Sequence, residues 1–188
     1  MEAFLVSAGA VALAEMGDKT QLLALTLAAR WRKPLPICLG ILVATLLNHA
    51  AAGWAGALIA QLLSPGQLRL AVGLSFIAMA AWTLIPDKLS DDPRPINRLG
   101  VFAATAIAFF IVEIGDKTQI ATVALAARYP DLLAVVAGTT LGMMAANVPV
   151  VLAGNFAAER LPLKALRIGA AVLFAILGVA ALLSFFSG

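Results

Sequence analysis

Six apolar runs, bounded by proline, glycine and charge, occupy residues 3–29, 35–62, 67–86, 99–127, 132–158 and 163–186 and so fill almost the whole sequence. A spanning helix needs roughly 20 apolar residues, a length each run meets. The 188 residues are 62% hydrophobic and 12% charged, far from the ~45–50% and ~25% of a soluble domain. That balance excludes an ordinary cytosolic enzyme and a disordered tail, and leaves almost nothing for a soluble domain. The expected fold is all-α: a polytopic membrane protein of six transmembrane helices. A single cysteine, Cys38, excludes a disulfide framework and a thiolate metal cluster. The thirteen Lys and Arg are scattered over short loops, so no nucleic-acid partner is expected. The N-terminus opens Met1-Glu2 without a basic region and carries Glu15 and Asp18 within the apolar stretch, which reads as a retained span rather than a cleaved signal.

Six spans place successive loops on alternate sides. One side collects Arg30, Arg32, Lys33, Lys88, Arg94, Arg98, Arg160, Lys164 and Arg167, whereas the other has Arg69 and Arg128. The positive-inside rule makes the first side cytoplasmic, so both termini are expected outside. Trp31, Trp82 and Tyr129 fall near span ends, as interfacial anchors do.

Glu15-Met16-Gly17-Asp18-Lys19-Thr20-Gln21 matches Glu113-Ile114-Gly115-Asp116-Lys117-Thr118-Gln119 at an offset of 98 residues, without gaps. Phe4 and Phe102, Gly40 and Gly138, Gly56 and Gly154, Arg69 and Arg167, and Phe76 and Phe174 correspond at the same offset. The chain therefore divides into a three-helix repeat over 1–86, a polar cytoplasmic linker over 87–98 and a second three-helix repeat over 99–188. Three spans is an odd number, so the copies enter the membrane from opposite sides. Inverted repeats of this kind are a transporter pattern, with the site near the midplane where the repeats meet.

Four of the ten acidic residues, Glu15, Asp18, Glu113 and Asp116, lie inside spans. An ionisable group at the bilayer centre costs about 2.5–3.5 kcal/mol on insertion scales, and such groups face a bundle interior or an aqueous cavity. On a continuous helix Glu and Asp at i and i+3 share a face, and Glu15 and Lys19 are i, i+4 neighbours. If the two copies pack together, all four carboxylates can meet. Thr20, Gln21, Thr118 and Gln119 add neutral oxygens, while Gly17 and Gly115 mark places where the helix can bend. Hard divalent cations such as Mn²⁺, Ca²⁺ or Mg²⁺ take oxygens of this kind. Carboxylates also take protons, so one alternating site would exchange metal for protons. Lys19 and Lys117 would balance the negative charge when the metal is gone. The plainer reading, a structural Asp–Lys pair that fixes helix packing, explains neither two carboxylates per copy nor their inverted placement.

Further polar residues lie in spans 2 and 5. Asn48 and Asn147 are candidate supporting residues, and His49 aligns with Asn147. A lone histidine is more often a packing residue than a relay. The thioethers of Met143 and Met144 would favour Mn²⁺ over Ca²⁺ if they faced the site, although filling the core is the commoner role of methionine.

The two Glu-x-Gly-Asp-Lys-Thr segments resemble the paired signature of uncharacterised protein family 0016, which includes Golgi calcium/manganese transporters of eukaryotes and bacterial manganese exporters. The resemblance covers the whole chain. It implies a cation/proton antiporter and no enzyme. It also implies Glu15, Asp18, Glu113 and Asp116 as cation-site residues, with Thr20, Gln21, Thr118 and Gln119 in support. The metal is then substrate rather than cofactor, and no cofactor is expected. Without the extra N-terminal targeting segment of eukaryotic members, the chain resembles a form from the bacterial inner membrane, where the implied task is Mn²⁺ efflux, with Ca²⁺ the other candidate, driven by inward protons. An exporter of small cationic metabolites such as basic amino acids is the alternative, on the strength of a shared six-span architecture. A homodimer is left open.

Overall fold

The computed structural model describes residues 1–85, 100–153 and 163–186. The expected linker at 87–98 lies outside these residues, as does the end of the fifth expected span at 154–158. The described residues form α1 (Glu2–Glu15), α2 (Lys19–Trp31), α3 (Pro34–Leu62), α4 (Pro65–Thr83), α5 (Val101–Glu113), α6 (Lys117–Arg128), α7 (Leu132–Ala153) and α8 (Leu163–Phe186), with no strand among them.

Helices α3, α7 and α8 are each long and apolar enough to cross a membrane, and α5 is a shorter apolar helix. Proline at the first helical position opens both α3 and α4, where a missing N–H costs nothing. Ser64 caps α4: its hydroxyl accepts from the Gln67 N–H at 3.3 Å while the Gln67 side chain accepts from the Ser64 N–H at 3.0 Å. Along α8, Ile168, Val172, Ile176, Val179 and Leu183 are exposed, and a helix with apolar side chains on its outer face suits lipid rather than water.

The first and fourth expected spans are not continuous helices. Each is two short helices meeting at a glycine in the left-handed region, Gly17 at φ +83° and Gly115 at φ +74°. Only glycine takes that conformation without a steric penalty from Cβ.

Contacts recur in pairs 98 residues apart. A Cβ on Gly138 would strike the Phe4 carbonyl and the Ser7 side chain, and a Cβ on Gly40 would strike the Phe102 carbonyl and the Thr105 side chain. Helix α1 therefore lies against α7 in the same register as α5 against α3. Between α4 and α8, the rings of Phe76 and Phe174 stack with centroids 6.1 Å apart.

The buried apolar residues form two clusters. One holds Ala3, Ala10 and Ala14 of α1 with Ala121, Leu125 and Ala127 of α6, Val135 of α7, Phe76 of α4 and Phe174 of α8. The other holds Leu23 and Leu27 of α2 with Ile37 and Ile41 of α3, Phe109 of α5 and Val151 of α7. From α1 to α2 the chain passes from the first cluster into the second. From α5 to α6 it passes the other way, and both glycine breaks fall at the junction.

Candidate cation site

Each break is assembled by the motif's own residues. Helix α1 ends at Glu15, whose carbonyl accepts from the Asp18 N–H at 3.0 Å, and α5 ends at Glu113, whose carbonyl accepts from the Asp116 N–H at 3.0 Å. The glycine N–H groups would be left over by the turn, but the side chains of Gln21 and Gln119 accept from Gly17 N and Gly115 N, both at 2.8 Å. Gln21 also donates to the Ala146 carbonyl at 3.0 Å, fastening the start of α2 to α7. Asp18 and Asp116 occupy the N-cap positions of α2 and α6, where the helix dipole favours negative charge.

The break redirects the lysines. Lys19 does not pair with Glu15, as a continuous helix would have it. Its Nζ lies 3.0 Å from Asp116 Oδ1, and Lys117 Nζ lies 3.3 Å from Asp18 Oδ2. Each lysine thus meets the aspartate of the other motif, so the two motifs are locked together by charge. An i, i+4 contact needs an unbroken helix between the partners, and Gly17 removes it.

Glu15, Asp18 and Asp116 can place one carboxylate oxygen each within 4.8 Å of one another, and all three are buried. Oxygens bound about 2.3–2.6 Å from a single cation lie no farther apart than about 5 Å, so this trio is ion-sized. Thr20 donates its hydroxyl to Glu15 Oε2. Glu15 Oε1 and Asp116 Oδ2 are buried with no hydrogen-bond partner among the described residues. A buried carboxylate oxygen without a donor is costly, and a bound cation relieves that cost.

Glu113 is placed differently. Thr45 donates to its Oε1 at 2.9 Å and Asn48 to its Oε2 at 3.0 Å, and Glu113 is not among the three gathered carboxylates. Asn48 shares its amide with the Phe110 carbonyl at 3.1 Å. Sequence reasoning singled out Asn48 and passed over Thr45, whose one available signal was a buried-span hydroxyl three residues before it.

The remaining candidates are scattered around this centre. Thr118 is buried, and its side chain interacts with the Glu15 carboxylate across the two motifs. Asn147 donates to the Met143 carbonyl at 3.1 Å and lies 3.0 Å from Met143 Sδ, with its own Oδ1 unpartnered. His49 is fully buried, and neither ring nitrogen has a hydrogen-bond partner among the described residues. Met144 packs at the edge of the second apolar cluster. One arginine that was read only for topology also reaches the first break: Arg167 donates to the Gly17 carbonyl at 3.3 Å, whereas Arg69, its counterpart, donates to the Ser184 carbonyl at 2.8 Å.

Residues 3–91 and 101–188 match the family model for the divalent cation/proton antiporter GDT1. A Vibrio cholerae serotype O1 protein named "Putative manganese exporter" is 53% identical over 181 residues, covering 96% of this chain and 90% of that protein. No solved structure matches the chain. With nearly its whole length matched, the chain belongs to the GDT1 divalent cation/proton antiporter family.

Proposed function

We propose that this protein exports Mn²⁺ from the bacterial cytoplasm in exchange for protons. Family membership makes it a multi-pass membrane transporter of divalent cations and not an enzyme. It also favours a cation over the basic metabolites considered from the sequence. Manganese is named for the Vibrio cholerae relative, and we carry it to this chain as part of the proposal, with Ca²⁺ as the competing ion.

The observation that carries the reading is the meeting of Glu15, Asp18 and Asp116, drawn from both motifs, around a space of ionic size. Four buried carboxylates and two lysines leave two negative charges to be balanced. One divalent cation balances them, and so do two protons. Binding the cation at Asp18 and Asp116 draws these carboxylates away from Lys117 and Lys19, so the lysines hold the motifs together when the metal has left. Metal and proton thus compete for the same oxygens, and competition at one site couples their opposite fluxes.

The topology proposed is six spans in two inverted repeats, with both termini outside the inner membrane. The opposite passages of α1–α2 and α5–α6 between the two apolar clusters support it, as do the contacts paired at 98 residues. In this arrangement both broken helices have their breaks at mid-membrane, where irregular backbone is tolerated because it lines a site.

Protein reconstituted in liposomes with an entrapped pH dye tests the exchange. An imposed Mn²⁺ gradient should drive proton movement in the opposite direction, and both Glu15→Gln and Asp116→Asn should slow it at least about tenfold, as losing a metal ligand or its support does. Wild-type rates in both variants would overturn the site, and no Mn²⁺-driven proton flux in the wild type would overturn the function.

A further inference from the structure

The two halves of the site are alike in backbone and unlike in side chains. Gly40 and Gly138 fix one register for α5 on α3 and α1 on α7. Five residues beyond each glycine stand Thr45 and Met143, and eight beyond stand Asn48 and Ala146. Thr45 and Asn48 both donate to Glu113. By the shared register, Met143 and Ala146 stand to Glu15 as those two residues stand to Glu113, and neither side chain can donate to a carboxylate. Two facts agree with this placement. Ala146 accepts from Gln21, which places that stretch of α7 at the first break, and Glu15 Oε1 has no hydrogen-bond partner among the described residues.

We propose, resting on the reading of the carboxylate trio as the cation site, that the ion is held in the first half-site and that Met143 sets the preference for Mn²⁺ over Ca²⁺. Glu113, with both oxygens engaged by α3, is not a ligand in this conformation. Met143 is fully buried, and its sulfur lies 3.0 Å from Asn147 Nδ2. Asn147 Oδ1, buried and unpartnered, adds a neutral oxygen within one helical turn of the methionine. A thioether is a soft donor that Mn²⁺ accepts better than Ca²⁺, which calls for a shell of six to eight oxygens. Replacing one of those oxygens by sulfur therefore weakens Ca²⁺ binding more than Mn²⁺ binding. The second half-site, with a hydroxyl in the same position, lacks this discrimination.

Isothermal titration of the purified full-length protein with MnCl₂ and with CaCl₂ separates these roles. Met143→Leu keeps volume and apolarity and removes only the sulfur. It should weaken Mn²⁺ binding about tenfold, in the range seen when metal-site support is lost, while Ca²⁺ affinity changes less than about twofold. Met143→Thr, which installs the residue of the other half, should also lower the ratio of Mn²⁺ to Ca²⁺ affinity and serves if the leucine variant is poorly folded. An unchanged affinity ratio in both methionine variants, or an equal loss for the two ions, overturns the assignment. Failure of the wild type to bind Mn²⁺ would overturn the underlying site instead.

Discussion

Two positions in the second motif, Gly115 and Glu113, are held by their surroundings, and the reasons differ. Gly115 has φ +74°, yet a Cβ there would meet no atom within 4 Å. Gly115→Ala is therefore a clean measure of backbone strain and should cost about 1–2 kcal/mol, read as a lower midpoint of thermal unfolding in detergent. At Glu113 the issue is hydrogen bonding. Thr45→Val removes the donor to Oε1 and should cost about 1–3 kcal/mol, whereas Thr45→Ser, which retains the hydroxyl, should recover most of the loss in the same unfolding measurement. The need for glycine was legible in each motif as a bend without side-chain bulk. Thr45 was not, because its partner lies 68 residues away in sequence and no local pattern marks a contact of that separation.

Among the elements, the half-helices depend on neighbours rather than on their own length. Helices α1, α2, α5 and α6 have 14, 13, 13 and 12 residues, and helices this short are marginal on their own in water. Packing against α3 and α7 holds them in place. A Cβ on Gly138 would overlap the Phe4 carbonyl on α1, and backbone cannot yield as a flexible side chain does. Gly138→Ala should force α1 away from α7, at a cost of about 1–3 kcal/mol typical of overpacking, and should weaken Mn²⁺ binding because Glu15 ends α1. Titration calorimetry on a still-folded variant checks the second effect. Hydropathy located all the apolar stretches and still read each broken pair as one helix, since a single glycine inside an apolar run changes composition very little. The consequence was chemical: with a continuous helix Lys19 belongs to Glu15, and with a break it belongs to Asp116.

At the scale of the whole molecule, the proposed topology makes a prediction about sidedness. With Cys38, the sole cysteine, replaced by serine, a cysteine introduced at Gln67 should react with a membrane-impermeant maleimide added outside intact cells. One introduced at Arg32 should react only after permeabilisation, and the reverse pattern would overturn the orientation. The sequence by itself determined the membrane class, the duplicated motif and the identity of the acidic candidates, because these follow from hydropathy, spacing and the cost of burying charge, all properties of short segments. The tertiary structure decided which lysine meets which aspartate, and that three carboxylates gather while Glu113 is held by α3. These are contacts between distant segments, fixed by where α3 and α7 dock against the broken helices. Motifs that differ only at Met16 and Ile114 become unequal because the neighbours they pack against differ.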